Sequence, residues 1–241
     1  MDKNKAIKAI LEKRLSKYEM FYAKNDVLKC LKKHCRDSSI TIKELRAMDA
    51  FDLSDDEECV LKVLDNEKLQ KEIQTAISNI RVVNNEENQT YLHRELRDVF
   101  EQAIEEQKVT NVAAQIIFLE HDHEAFFSVS GFGEGDYPLL KTPQYVKYDS
   151  TNIAFGGINK VDYSPICQPI KMPWAEECLG RCIEFFDNIP RMNILKTYII
   201  LHEVFQSFAK DSVFKQLKKE KPLFIYANEH DCEASSIFIF E

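Results

Sequence analysis

Apolar positions along this chain follow two periods, and the change from one to the other divides it. Ile7, Ile10, Leu11, Leu15 and Tyr18 recur at spacings of three and four with lysines between them, which predicts an amphipathic helix. Asp26 is placed to cap a second helix carrying Val27, Leu28, Leu31 and Cys35. His34 falls near that helix's terminal carbonyls, where a cation is favoured. Thr41 and Ser54 each precede a glutamate by three residues, Glu44 and Glu57. In that spacing the hydroxyl and the carboxylate satisfy each other's free backbone N–H groups, so two helix starts are predicted. Leu69, Ile73, Ala76, Ile77 and Ile80 give a further helix, followed by the polar break Asn84 to Asn88. Residues 1–88 therefore read as a helical region and 89–241 as a second domain.

Beyond the break, Leu92, Leu96, Val99, Phe100 and Ala103 mark one more helix, ending near Lys108. The pattern then shortens to strand length. Val112 to Leu119 and Ala125 to Val129 flank the tip Glu120-His121-Asp122-His123-Glu124, while Leu223 to Ala227 and Ile237 to Phe240 flank its twin, Glu229-His230-Asp231-Cys232-Glu233. Both read as β-hairpins. Between them, Pro138 to Pro173 is rich in Pro, Gly, Tyr and Asn, with Tyr145 to Tyr148 and Asn152 to Phe155 as short strand candidates. Trp174 to Phe186 keeps helical spacing up to Pro190, and a second helix is expected over Asn193 to Phe208. The predicted fold class is α+β, with an N-terminal helical region and then a largely antiparallel sheet carrying helices on one face.

Charge changes the picture more than bulk composition does. Residues 1–36 hold 11 Lys and Arg against 4 Asp and Glu, a balance of +7, which leaves 21 against 36, or −15, for the remainder. An acidic body disfavours nucleic acid, whose phosphates are held mainly by Lys and Arg, and suits a basic protein partner. The basic N-terminal stretch alternates with an apolar stripe, so it reads as a solvated helix face. No apolar run approaches the ~20 residues that cross a bilayer, and no apolar segment follows Met1-Asp2-Lys3-Asn4-Lys5. A soluble, cytoplasmic protein is expected, and the seven irregularly spaced cysteines read as reduced thiols.

Candidate chemistry concentrates at the twin tips. Neutral His and ionised Asp can bind zinc or another divalent metal, and a metal-bound water would be activated for hydrolysis. That reading uses His121, Asp122, His123, His230 and Asp231 and requires the two tips to be neighbours. Against it, successive strand residues point to opposite faces, and Asp and Glu are ordinary residues for a solvated turn. The tips are therefore read as turns, with no cofactor.

Other motifs fall short of their chemistry. Leu201-His202-Glu203-Val204-Phe205-Gln206 places Gln206 where a zinc-protease helix needs its second His. Asp55-Asp56-Glu57-Glu58 lacks the alternating ligands of a calcium loop. Gly131-Phe132-Gly133-Glu134-Gly135 has no Gly-Lys-Ser/Thr and reads as a flexible loop. Cys178 and Cys182, four apart on an apolar helix face, read as core. The long irregular segment is the expected partner surface, with Tyr137, Tyr145, Tyr148, Asp149 and Tyr163 as its contact residues.

From residue 91 to 241 the order of helix, hairpin, irregular Tyr/Pro/Gly segment, paired helices and terminal strands resembles the small α+β domains of bacterial immunity proteins and related uncharacterised bacterial families. The resemblance is one of layout and acidic surface. It implies a non-enzymatic, toxin-neutralising binding protein; a metal-dependent hydrolase built on the tips is the alternative.

Overall fold

A computed structural model of the chain describes residues 2–24, 39–54, 57–58, 61–62, 65–68, 71, 75, 85–121, 126–163 and 183–241. The helix expected after Asp26, all but residues 71 and 75 of the one over Leu69 to Ile80, and the first part of the one beginning at Trp174 lie outside these residues. The chain divides into two compact units. Met1–Lys13, Asn84–Gln168 and Leu195–Glu241 form one, and Arg14–Val83 with Pro169–Ile194 form the other. The first unit thus takes up again close to the expected break, yet neither unit is a continuous stretch.

In the second unit both predicted helix starts are made. The Thr41 N–H donates to Glu44 Oε2 at 2.7 Å while the Glu44 N–H donates back to Thr41 Oγ1 at 3.2 Å, opening helix α2 (Ile42–Leu45). Ser54 and Glu57 repeat the exchange at 2.7 and 3.3 Å. Arg46 pairs with Asp65.

The first unit holds the sheet. Helix α1 (Lys3–Lys24) opens the chain, and its Ile7 and Leu11 are buried as the stripe predicts. Helix α3 (Asn85–Thr110) begins earlier than its apolar stripe, because the polar residues of the expected break form its first turn. Glu86 and Glu87 there face the free N–H groups and the positive end of the helix dipole. Strands β1 (Ala114–His121) and β2 (Phe126–Phe132) form the first hairpin, and β3 (Ile153–Asp162) pairs antiparallel with β2. Helix α4 (Ile183–Phe208) runs unbroken across Pro190, where the sequence predicts two helices. A proline forfeits one backbone bond and costs roughly 3 kcal/mol. The buried stripe Leu195, Tyr198, Leu201, Phe205 and Phe208 on the same helix opposes that cost. Helix α5 (Ser212–Gln216) and strands β4 (Lys219–Glu229) and β5 (Ser235–Phe240) complete the chain. Among the described residues no helix is long and apolar enough to cross a membrane.

The five strands lie in the order β3-β2-β1-β4-β5. Every pair is antiparallel except β1 with β4, so the sheet is mixed and largely antiparallel and the fold is α+β as predicted. The buried side chain of Gln107, at the end of α3, fastens that parallel pair at its start. Its Nε2 donates to Val112 O at 3.0 Å and Lys218 O at 2.8 Å, and its Oε1 accepts from Lys218 N at 2.9 Å.

Aromatic rings fill both sides of the sheet. On the helix side, Phe100 of α3 lies 5.4 Å from Phe208 and 5.2 Å from Phe214, and Phe214 lies 4.5 Å from Phe240 of β5. On the other side, Phe118 and Tyr226 meet at 5.7 Å under the irregular segment 133–152. Tyr226 donates its hydroxyl to Pro138 O at 2.5 Å. Asn152 to Phe155 runs into β3 as expected, but Tyr145 to Tyr148 is not a strand. The ladder contact there is one bridge, Gln144 to Ala234, after which Tyr148 spends its ring on Phe132 and Phe118 and Asp149 turns the chain. The glycine cluster is packing rather than a flexible loop. Gly131 lies within β2 opposite Phe155, where a Cβ would drive into the ring, and Gly133 donates to Asn152 O at 2.8 Å.

An open sheet edge presents unpaired backbone groups that recruit other strands. Here helix side chains close both edges. At β5, Asn4 of α1 accepts from Ile239 N at 2.9 Å and donates to Ile239 O at 2.8 Å, as a neighbouring strand residue would. His202 of α4 donates Nδ1–H to Ile237 O at 2.7 Å. At β3, Thr110 donates to Ala154 O at 2.8 Å and Glu106 accepts from Gly156 N at 3.0 Å, both from α3.

His202 makes this closure pH-dependent. Burial holds its imidazole below the ordinary 6.5, so the fold favours the neutral ring. Its contribution is complete above 6.5 and is lost as pH falls through the lower folded value. His202→Leu, which strands the Ile237 carbonyl, is expected to cost about 1–3 kcal/mol at neutral pH. It should also flatten the decline of stability between neutral and mildly acid pH. Urea unfolding across that range checks both; an unchanged slope would remove His202 as its source.

Candidate functional site

Because β1 and β4 run parallel and in register, with His121 opposite Glu229, the two tips emerge at the same end of the sheet. The His230 N–H donates to His121 O at 3.0 Å and extends the ladder by one step. The condition that the tips be neighbours is met by their backbones.

Their side chains separate by face. Glu120 and Asn228 are directly paired and share the side covered by the irregular segment. His230 donates Nδ1–H to Glu120 Oε1 at 2.8 Å, and its Nε2 lies 3.5 Å from Asp231 Oδ2. Asn228 donates Nδ2–H to Glu229 O at 3.0 Å and, at a long 3.4 Å, to Glu120 Oε2. Only 8 % exposed, Asn228 leaves its Oδ1 buried and without a hydrogen-bond partner. Asp231 holds the turn in the left-handed region at φ 58°, a conformation Asp tolerates better than most residues.

His121 points to the opposite face. Its Nε2 is hydrogen-bonded to the Tyr198 hydroxyl of α4 at 3.0 Å, and its ring meets Phe127 and Tyr163 edge-on. His121 and His230, both named in the metal reading, are thus divided by the sheet; Asp122 and His123 lie outside the described residues. Among the described residues no group of three or more His, Cys, Asp or Glu side chains is arranged to hold a metal ion. His202 is committed to β5, with Gln206 exposed, and Cys178 and Cys182 lie outside the described residues.

The expected partner-contact residues divide in the same way. Tyr137 is buried, donating its hydroxyl to Gly133 O at 2.9 Å, and burial pushes its pKa up. Tyr163 is buried against Phe127 at 4.4 Å. Tyr145, Tyr148 and Asp149 remain at the surface. Tyr145 is 72 % exposed and Tyr148 47 %. Tyr148 is nonetheless fixed, its ring 4.2 Å from Phe132 and 5.1 Å from Phe118. Tyr145 reaches Asp231 O at 3.4 Å, which joins this patch to the second tip. Asp149 accepts from the Thr151 hydroxyl at 2.6 Å and the Thr151 N–H at 2.9 Å. Those two bonds hold its carboxyl below the usual range, with the hydroxyl the larger cause.

Sequence reasoning saw Glu120 only as part of a tip and did not single out Asn228. Their partnership depends on the register of a parallel pair whose strands lie about a hundred residues apart, and no local pattern encodes that register.

No family model, no curated protein and no solved structure matches this chain.

The division of the two histidines by the sheet carries an elemental prediction. Protein purified without chelator should hold zinc, manganese or iron well below one ion per chain by elemental mass spectrometry. Stoichiometric metal that is lost in both His121→Ala and His230→Ala would contradict the geometry and promote the hydrolase.

Proposed function

We propose that this is a non-enzymatic binding protein that engages a basic protein partner through the patch Tyr145, Tyr148 and Asp149 together with the carboxylates of the adjoining tip. The carrying observation is the pair of exposed tyrosines on a segment already fastened to the sheet. Tyr148 rests on two phenylalanines, and the Tyr145 segment is bridged to the second tip at Ala234. An aromatic side chain fixed before binding loses little further entropy on association, which is the property of an interface anchor. Asp149 and Asp231 add exposed negative charge to the patch, and the body from residue 37 onward carries −15. Such a surface steers a cationic partner and discriminates against anionic ones. Neutralisation of a basic toxin in the cytoplasm, the role implied by the layout of residues 91–241, is the form of this function we favour.

The test is capture of partners from cell extract by the full chain over a salt series, with identification by mass spectrometry. A basic protein should be retained at low salt and released as salt rises, since charge steering is screened. Tyr145→Ala combined with Tyr148→Ala should weaken its retention by about tenfold or more. Tyr145→Ala alone should weaken it while leaving the unfolding midpoint nearly unchanged, whereas Tyr148→Ala also lowers the midpoint because it uncovers Phe118 and Phe132. Retention that ignores both salt and the tyrosines would sink the proposal.

A further inference from the structure

We infer that Glu120, Asn228 and His230 form a receptor for a guanidinium group, supplied by an arginine side chain of the partner; the inference rests on the binding function proposed above and names the chemistry of its central contact. The first reason is the unpartnered Asn228 Oδ1 in a side chain more than nine-tenths buried. Reversing the amide would not cure it, because Oδ1 would then face the Glu229 carbonyl and the Glu120 carboxylate, both acceptors. What the site lacks is therefore a donor.

The second reason is the state of Glu120. Its Oε1 accepts from His230 at 2.8 Å, while its Oε2 has, among the described residues, the long 3.4 Å contact to Asn228. The carboxylate and the amide of the neighbouring Asn228 side chain thus carry between them acceptor atoms short of donors. A planar guanidinium carries five N–H donors and can give two to a carboxylate and others to a neighbouring carbonyl; an ammonium is a point donor without that fork.

The third reason is that His230 already occupies the place. It lies at a turn, two-thirds exposed, and gives Glu120 the N–H that an arginine would give. Residues 228 and 230 both reach the same carboxylate, so outward rotation of the imidazole about the Asp231 turn frees Glu120 Oε1 for another donor. The ring then acts as a placeholder that the incoming guanidinium displaces.

The experiment titrates the full chain with acetyl-Gly-Arg-Gly-amide, and with its citrulline and lysine counterparts, while following the His230 ring signals by NMR. The arginine peptide should shift those signals, and the neutral citrulline peptide should bind about tenfold more weakly or worse. Glu120→Gln should weaken the arginine peptide by about tenfold. Asn228→Leu should erase the preference for arginine over lysine. His230→Ala should bind the arginine peptide more tightly than the parent chain, because the internal competitor is gone; a merely structural His230 would not give that sign. Equal binding of arginine and citrulline, or no binding by either the parent or His230→Ala, would overturn the receptor. If that happens while partner capture still depends on Tyr145 and Tyr148, the receptor alone falls; if arginine binds but no basic protein is captured, the partner proposal is what fails.

Discussion

The parallel pairing of β1 with β4 is the constraint on which the rest of the sheet depends. Each strand belongs to its own hairpin, and an antiparallel junction would have sent the two tips to opposite ends. Parallel pairing stacks them, with His230 N–H on His121 O. Parallel neighbours cannot be joined by a tight turn and need a long crossover, which β2, β3 and the helices supply here. The crossover gives no local enforcement of register. That task falls to Gln107, a buried amide whose three hydrogen bonds hold residues 112 and 218 side by side before either strand begins.

Closure of the edges follows a similar logic. A five-stranded open sheet has two exposed ladders, and proteins commonly blunt them with charge, proline or a covering element. In this protein Asn4, His202, Thr110 and Glu106 bond the outward backbone groups from three helices. The helices thereby do more than bury the aromatic face; they stand in for absent strands. Glu203 binds the arrangement further, taking Lys8 of α1 at 2.8 Å and Gln89 of α3 at 2.5 Å. The segment 133–152 and the adjoining tip are where exposed tyrosines and the unpartnered Asn228 oxygen gather.

Much of this was legible in the sequence where the signal is local. The stripe Ile7, Leu11, Leu15 and the reciprocal pairs Thr41–Glu44 and Ser54–Glu57 encode helices within a few residues, and the runs flanking the twin tips encode hairpins. Where the determinant is tertiary the sequence misled. Pro190 reads as a break, yet the buried stripe carries one helix through it. Gly131 reads as loop, yet it makes room in a strand for the Phe155 ring. Tyr137 and Tyr148 look alike in composition, but one hydroxyl is buried on Gly133 and the other ring lies half exposed; burial is a property of the covering segment's path. The Glu120–Asn228 pair was invisible for the same reason, since only the parallel register brings them together.

The most direct test of this arrangement is interstrand NOE measurement on isotope-labelled full-length protein. Parallel pairing requires contacts between the His121 amide proton and the Hα of its register partner Glu229, with a matching series down the strands toward Phe118 and Tyr226. Those NOEs are the predicted result. Their absence, or a set placing β1 antiparallel to β4 or beside β5, would separate the two tips and dismantle the candidate site built on them.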